Sequence, residues 1–245
     1  MFDMIVDANG MISISISMKQ VGTLSAIKLD LSHNGITDLS ANRSGWAAYS
    51  SVRSLDLGYN KISTISRNYF EPIRSSLTHL VLRDNKLTNI SPDIFSEMEH
   101  LLWLDFSNNK IKLVDLDAFT NTKSLQVLLL NNNEINEIYQ DMLIQSPMLQ
   151  IVNLGHNQLR FLPDTIFHDT QLEILDVSHN LISKMPEGCL SRVSSTLRHF
   201  DISHNQLNML HPEQVTSPCC PSLACLSILS IYFYVLILKS NQVQL

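Results

Sequence analysis

Two kinds of titratable side chain return along the sequence at nearly regular intervals, and each is capable of chemistry. Asp30, Asp56, Asp105, Asp176 and Asp201 hold one recurring position, and His33, His156, His179 and His204 hold another. Carboxylates on neighbouring elements, as Asp176 and Asp201 would be, are the raw material of a general acid–base pair. Histidines in three consecutive repeats offer nitrogen ligands to zinc, or a charge that changes between about pH 5 and 8. Neither column is accompanied by a nucleophile beside a base, a glycine-rich loop or a converging ligand set, so the requirements of a catalytic site are unmet. Adjacent strands about 5 Å apart hold rings in line and do not converge them on one ion. The expectation is therefore no enzyme, no metal and no cofactor. The cysteines Cys189, Cys219, Cys220 and Cys225 fit no metal spacing and leave the redox compartment open.

The elements that carry these columns are phased by asparagine. Asn34, Asn60, Asn85, Asn109, Asn133, Asn157, Asn180 and Asn205 follow one another at steps of 26, 25, 24, 24, 24, 23 and 25. Three residues before each stand Leu31, Leu57, Leu82, Phe106, Leu130, Leu154, Val177 and Ile202. Two residues earlier come Leu29, Leu55, Leu80, Leu104, Leu128, Val152, Leu175 and Phe200. An apolar pair two apart is strand spacing. A single repeat cannot bury its apolar residues alone, so consecutive repeats must stack. The pattern resembles the leucine-rich repeat L-x-x-L-x-L-x-x-N-x-L, and it predicts an α/β solenoid: one short strand per repeat, a curved parallel sheet on the concave face, and irregular or short helical segments on the convex face. Strands are expected near 29–31, 55–57, 80–82, 104–106, 128–130, 152–154, 175–177 and 200–202. Phe70, Phe95, Phe119, Leu143, Phe167 and Leu190, ten residues after their asparagines, should pack beneath the convex side. Proline in Ser91-Pro-Asp-Ile-Phe95 and Leu162-Pro-Asp-Thr-Ile-Phe167 suggests short helical turns.

The array is expected over residues 1–216, as a partial first repeat carried by Met4, Val6, Asn9, Met11 and Ile14 and eight further repeats. Residues 1–10 lack the basic and apolar regions of a secretory signal. An array that starts inside a repeat, without a polar cap, predicts a fragment or a partial gene model. Residues 217–245 form an apolar tail whose 219–238 run has no charge. Its length suits a membrane span; an anchor signal and a mis-spliced ninth repeat are the other two readings. Formal net charge is −6 with no basic block, which argues against nucleic acid and anionic membranes as main partners.

The outward strand positions carry the functional expectation. Trp103, Val127, Ile151 and Ile174 form an apolar row on four successive strands, with Leu129 beside it. Exposed apolar patches mark protein interfaces, and tryptophan is a favoured anchor. Sequons at Asn42-Arg-Ser44 and Asn89-Ile-Ser91 lie off the strands and are candidate glycosylation sites.

Repeats of about 24 residues with phenylalanine on the back resemble the extracellular class of leucine-rich-repeat proteins. The non-consensus wording of Ser54–Ser63, Ser76–Leu80, His100–Asp105, Asp117–Lys123 and Leu175–Asn180 is similar to an insect photoreceptor-cell adhesion branch of that class. This resemblance covers roughly residues 50–210. It implies a non-enzymatic cell-surface module that binds protein, its own kind included, and is anchored by a glycolipid on the outer leaflet. A ligand-binding receptor ectodomain of the Toll type and an intracellular repeat scaffold are the alternatives.

Overall fold

A computed structural model describes residues 3–6, 12–15, 27–39, 51–67, 69–95, 97–186, 190 and 193–207. Eight strands form one sheet: β3 (Ile27–Asp30), β5 (Val52–Asp56), β7 (His79–Val81), β9 (Trp103–Asp105), β11 (Val127–Leu129), β12 (Ile151–Asn153), β13 (Ile174–Asp176) and β14 (His199–Asp201). All their pairings are parallel, and their order in space is their order in sequence. Each repeat thus adds one rung to a solenoid. The strands open one or more residues earlier than the leucine pairs predict. Backbone bonds nevertheless continue past them, as from Leu31 N to Asp56 O at 2.7 Å and from Leu130 N to Asn153 O at 2.8 Å.

Two small parallel sheets line the flank where the chain leaves the strands: β4 (Asp38–Leu39) with β6 (Thr64–Ile65), and β8 (Asn89–Ile90) with β10 (Leu113–Val114). Among the described residues the return side is nearly devoid of helix, with 3-10 turns at Glu71–Ile73 and Pro92–Ile94. Both carry proline in the first turn, where its missing N–H costs nothing. The second predicted turn, 162–167, adopts turns without a helix.

Of the residues expected to carry the N-terminal partial repeat, Asn9 and Met11 lie outside the described residues. Met4 and Val6 lie in β1 (Asp3–Val6), which pairs antiparallel with β2 (Ile12–Ser15) outside the eight-stranded sheet. The alternation of apolar and polar residues over 12–15 suits a hairpin as well as a rung, and spacing alone does not separate the two. Asn42, the four cysteines and the 217–245 tail lie outside the described residues. Among the described residues, no helix is long and apolar enough to cross a membrane.

The core is continuous along the axis. Leu29, Leu55, Leu80, Leu104, Leu128, Val152 and Leu175 are at most 2% exposed, and the leucine row two residues later is buried with them. Phe70, Phe95, Phe119 and Phe167 fill the convex side, with the Phe95 and Phe119 rings 6.0 Å apart. Burying a leucine or phenylalanine side chain contributes about 1.5–3 kcal/mol, so the array gains stability rung by rung.

The phasing asparagines join the rungs. Asn133 Nδ2 donates to Phe106 O of the preceding rung and to Leu130 O of its own, both at 3.0 Å. Its Oδ1 accepts from Ile111 N at 3.0 Å. Asn60, Asn85, Asn109, Asn157, Asn180 and Asn205 repeat this scheme. An amide is required because it donates and accepts at once, and leaving either group unmet in the core costs about 1–3 kcal/mol.

Candidate functional site

The concave sheet presents two outward rows, and their chemistry differs. The inner row, four residues before each asparagine, holds the aspartates whose spacing suggested acid–base work. Their carboxylates are occupied with structure. Asp30, Asp105, Asp176 and Asp201 each accept from the backbone N–H of the serine two residues on, at 2.9–3.0 Å. Asp56 and Asn153 do the same for Gly58 and Gly155. Each closes an Asx turn that satisfies the N–H where the chain bends off the strand. Asp30 is held below the usual carboxylate range by its side-chain and backbone hydrogen bonds from Ser32. Its contribution to stability is present above about pH 4 and is lost as pH falls further. The two glycines follow from the same crowding: a Cβ on Gly155 would stand 3.0 Å from both oxygens of Asp176.

Six of the eight rungs use this cap, and two do not. Val81 and Leu129 occupy the position in β7 and β11 and have no oxygen to offer. They lie either side of Asp105, on the strands that flank β9. Trp103 of β9 belongs to the outer row, which runs His79, Trp103, Val127, Ile151, Ile174, His199 across six strands in register. The His79 ring lies nearly parallel to Trp103, 6.5 Å between centroids and 18° between planes. Trp103, Leu129 and Ile151 are half-buried, and Ile174 is exposed at 37%. Val127 departs from the expectation of an open position: it is 8% exposed, because Trp103 and Ile151 close over it from the neighbouring strands. Val81 and His79 extend the patch beyond the residues that the apolar row alone indicates. The absence of aspartate at 81 and 129, in a column otherwise able to cap, is the sequence signal that marks them.

The histidine column is a stack. His156 and His179 rings lie 4.0 Å apart at 9°, and His179 and His204 4.0 Å apart at 13°. All three residues have φ between +51° and +55°, as do their counterparts His33, Tyr59, Asp84, Asn108 and Asn132 between +53° and +60°. A left-handed residue stands three positions past each strand of the eight-stranded sheet, which explains why Asn, Asp and His crowd this position. Tyr59 is the bulky exception, and it is supported by the His33 ring at 4.4 Å and the Arg83 guanidinium at 5.0 Å. Among the described residues no group of three His, Cys, Asp or Glu side chains is placed to hold a metal ion.

Burial, and then the proximity of His156 and His204, push the His179 pKa below its ordinary value, against the opposing pull of Asp201 and Asp176. The folded chain therefore binds protons less readily than the unfolded chain, and stability falls as pH drops below about 6.5. The melting temperature should fall between about pH 7.5 and 5.5. His179→Gln should flatten that fall while leaving the loss below about pH 4, which belongs to the carboxylates. An identical pH profile in the variant would show that the stack does not set it. Of the sequon asparagines within the described residues, Asn89 is exposed in β8 on the flank, away from the concave rows.

Comparison with known proteins agrees with this architecture. The family described as "Leucine rich repeat" matches residues 75–135, 113–159 and 147–207, and a second description of the same repeat matches 27–41. The chain is 54% identical over 200 residues to Chaoptin of Drosophila melanogaster and 51% identical over 199 to Chaoptin of Tribolium castaneum. Each alignment takes in 78% of this chain, but the chain spans only 15% and 25% of those proteins' lengths. Among solved structures, the repeats resemble a chain of the Toll–Spatzle complex at TM-score 0.59 and 30% identity, covering 68% of this chain and 23% of that one. They also resemble a chain of the Latrophilin 3–Unc5D–FLRT2 complex at TM-score 0.68 and 25% identity, covering 78% and 57%. With the repeat matched over more than half its length and built as stacked parallel rungs, this chain belongs to the leucine-rich repeat family.

Proposed function

We propose that the chain is the recognition part of a non-enzymatic cell-surface adhesion protein, which binds a second copy of itself through the patch around Trp103. The observation that carries this reading is the pair of missing caps. A hydrogen bond that a backbone N–H donates to a carboxylate contributes about 1.5–3 kcal/mol. Val81 and Leu129 forgo it on the two strands that flank Trp103, and the core does not account for the exchange because both side chains face outward. What the exchange provides is an apolar side chain on each strand beside Trp103, next to an outer row that runs on to Ile151 and Ile174 and is bordered by His79 and His199. Large exposed apolar patches mark interfaces, and a two-fold homophilic contact requires a self-complementary patch. The adhesion reading itself comes from the family branch that the repeats resemble and from the 54% identity to Chaoptin.

Trp103 should dominate the binding energy, since truncating such an anchor typically costs about 2 kcal/mol or more. The measurement is aggregation of cells that display the array behind a secretory signal and a membrane anchor. The Trp103→Ala/Ile151→Ser double variant should fold and reach the surface at the same level, yet fail to aggregate cells. Equal aggregation by the double variant would place adhesion elsewhere on the molecule.

A receptor ectodomain of the Toll type is the second reading, supported by the 30% identity to a chain of the Toll–Spatzle complex. It predicts that displayed arrays never aggregate cells with one another but bind a soluble protein ligand, with Trp103→Ala still disruptive.

A further inference from the structure

The flank where the chain leaves the sheet carries a row of like charge. Lys61, Lys86 and Lys110 each follow their repeat's asparagine. Their backbone N–H groups donate to Ile36, Ile62 and Leu87 carbonyls of the preceding rungs, at 2.7, 2.8 and 2.9 Å. This bonding lines the three residues up on consecutive rungs, about 5 Å apart. All three are exposed, and none makes an ion pair among the described residues. Lys112 widens the row and is held by Glu134 at 3.4 Å, and exposed Arg83 borders it over Tyr59. Elsewhere the array answers charge with charge from one rung to the next, as in Arg67–Asp93, Lys123–Glu99 and Arg198–Glu173. Like charges facing one another across a ladder are destabilising. Here three stand together in a chain of net charge −6.

We infer that the Lys61–Lys86–Lys110 row is a binding site for a sulfated polysaccharide chain, separate from the apolar concave patch. The shape of the row selects that class of ligand. Parallel lysines do not converge, so a compact anion such as a single phosphate gains little from more than one of them. A linear polymer with an anionic group on each repeating unit meets all three. Single-stranded nucleic acid needs free aromatic faces on which bases stack. Tyr59, the aromatic residue nearest the row, has His33 on one side and Arg83 on the other. A membrane surface demands a broad basic face, which the overall negative charge opposes.

The test is binding of the full chain to heparin, with polyglutamate and single-stranded DNA as parallel probes. Heparin should bind most tightly. The Lys61→Gln/Lys86→Gln/Lys110→Gln variant should lose at least tenfold in affinity. Its plot of log affinity against log salt should be shallower by about 2, from the counterions no longer released. The corresponding Lys→Arg variant should keep both affinity and slope. A control variant, Lys28→Gln/Lys123→Gln/Lys184→Gln, removes equal charge elsewhere and should bind as the unaltered chain does. The inference is overturned if the row variant and the control weaken equally, if heparin does not bind, or if polyglutamate or DNA binds as tightly as heparin. Because Trp103 is untouched, cell aggregation by the row variant separates this outcome from the fate of the concave patch.

Discussion

Asn133→Asp is expected to destabilise the array by about 3–5 kcal/mol, while Asn131→Asp and Asn132→Asp each change stability by less than about 1 kcal/mol. The three residues are consecutive and chemically identical, so only their surroundings distinguish them. Asn133 is 8% exposed and its Nδ2 donates to Phe106 O and Leu130 O. A carboxylate there has no proton to give, and it would face two carbonyl oxygens in the core with its charge uncompensated. Its one remaining favourable bond would be from Ile111 N. Asn132 is exposed in a left-handed conformation that aspartate tolerates, with φ at +56°. Asn131 faces the concave side and its backbone, not its side chain, carries the inter-rung bond to Asn108 N. The check is denaturant unfolding of the three variants side by side. Similar midpoints would mean that the asparagine ladder is not what joins the rungs.

Leu128→Asp should be more damaging still, with a loss on the order of 5 kcal/mol or more, enough to prevent folding of the middle rungs. Leu128 is 0% exposed between Leu104 and Val152 on the neighbouring strands. Truncating a buried leucine alone costs about 2–5 kcal/mol, and an unpaired charge adds to it. The adjacent Leu129→Asp should behave in the opposite way. It places aspartate where Asp30, Asp56, Asp105, Asp176 and Asp201 already cap the N–H two residues on, so it supplies Asn131 N with the acceptor that this rung lacks. Stability should hold or rise while adhesion through the Trp103 patch is lost. Circular dichroism and thermal melts of the two variants measure the first part, and the display assay the second. If Leu128→Asp melts as Leu129→Asp does, the strand register is wrong.

The solenoid was legible because every rung repeats one apolar and amide pattern, and such a pattern has only one way to bury itself. The core leucines, the convex phenylalanines and the inward asparagines all follow from spacing. The outward row containing Trp103, Val127, Ile151 and Ile174 follows too, since strand alternation assigns each residue a face. The antiparallel hairpin of β1 and β2 did not follow, because two short alternating segments fit a hairpin and a rung equally well.

What the sequence determined by itself, then, is periodic: which residues point in, which point out, and in what order the rungs stack. What the tertiary structure decided is lateral. Only juxtaposed rungs show that the aspartate column caps backbone N–H groups and that Val127 is closed over by its neighbours. Only they turn His156, His179 and His204 into a stack at 4.0 Å and bring Lys61, Lys86 and Lys110 into one row. The physical reason is that hydrogen bonds, ring stacking and charge repulsion act over a few ångströms, and residues some 24 positions apart in the chain come that close only once the rungs are stacked.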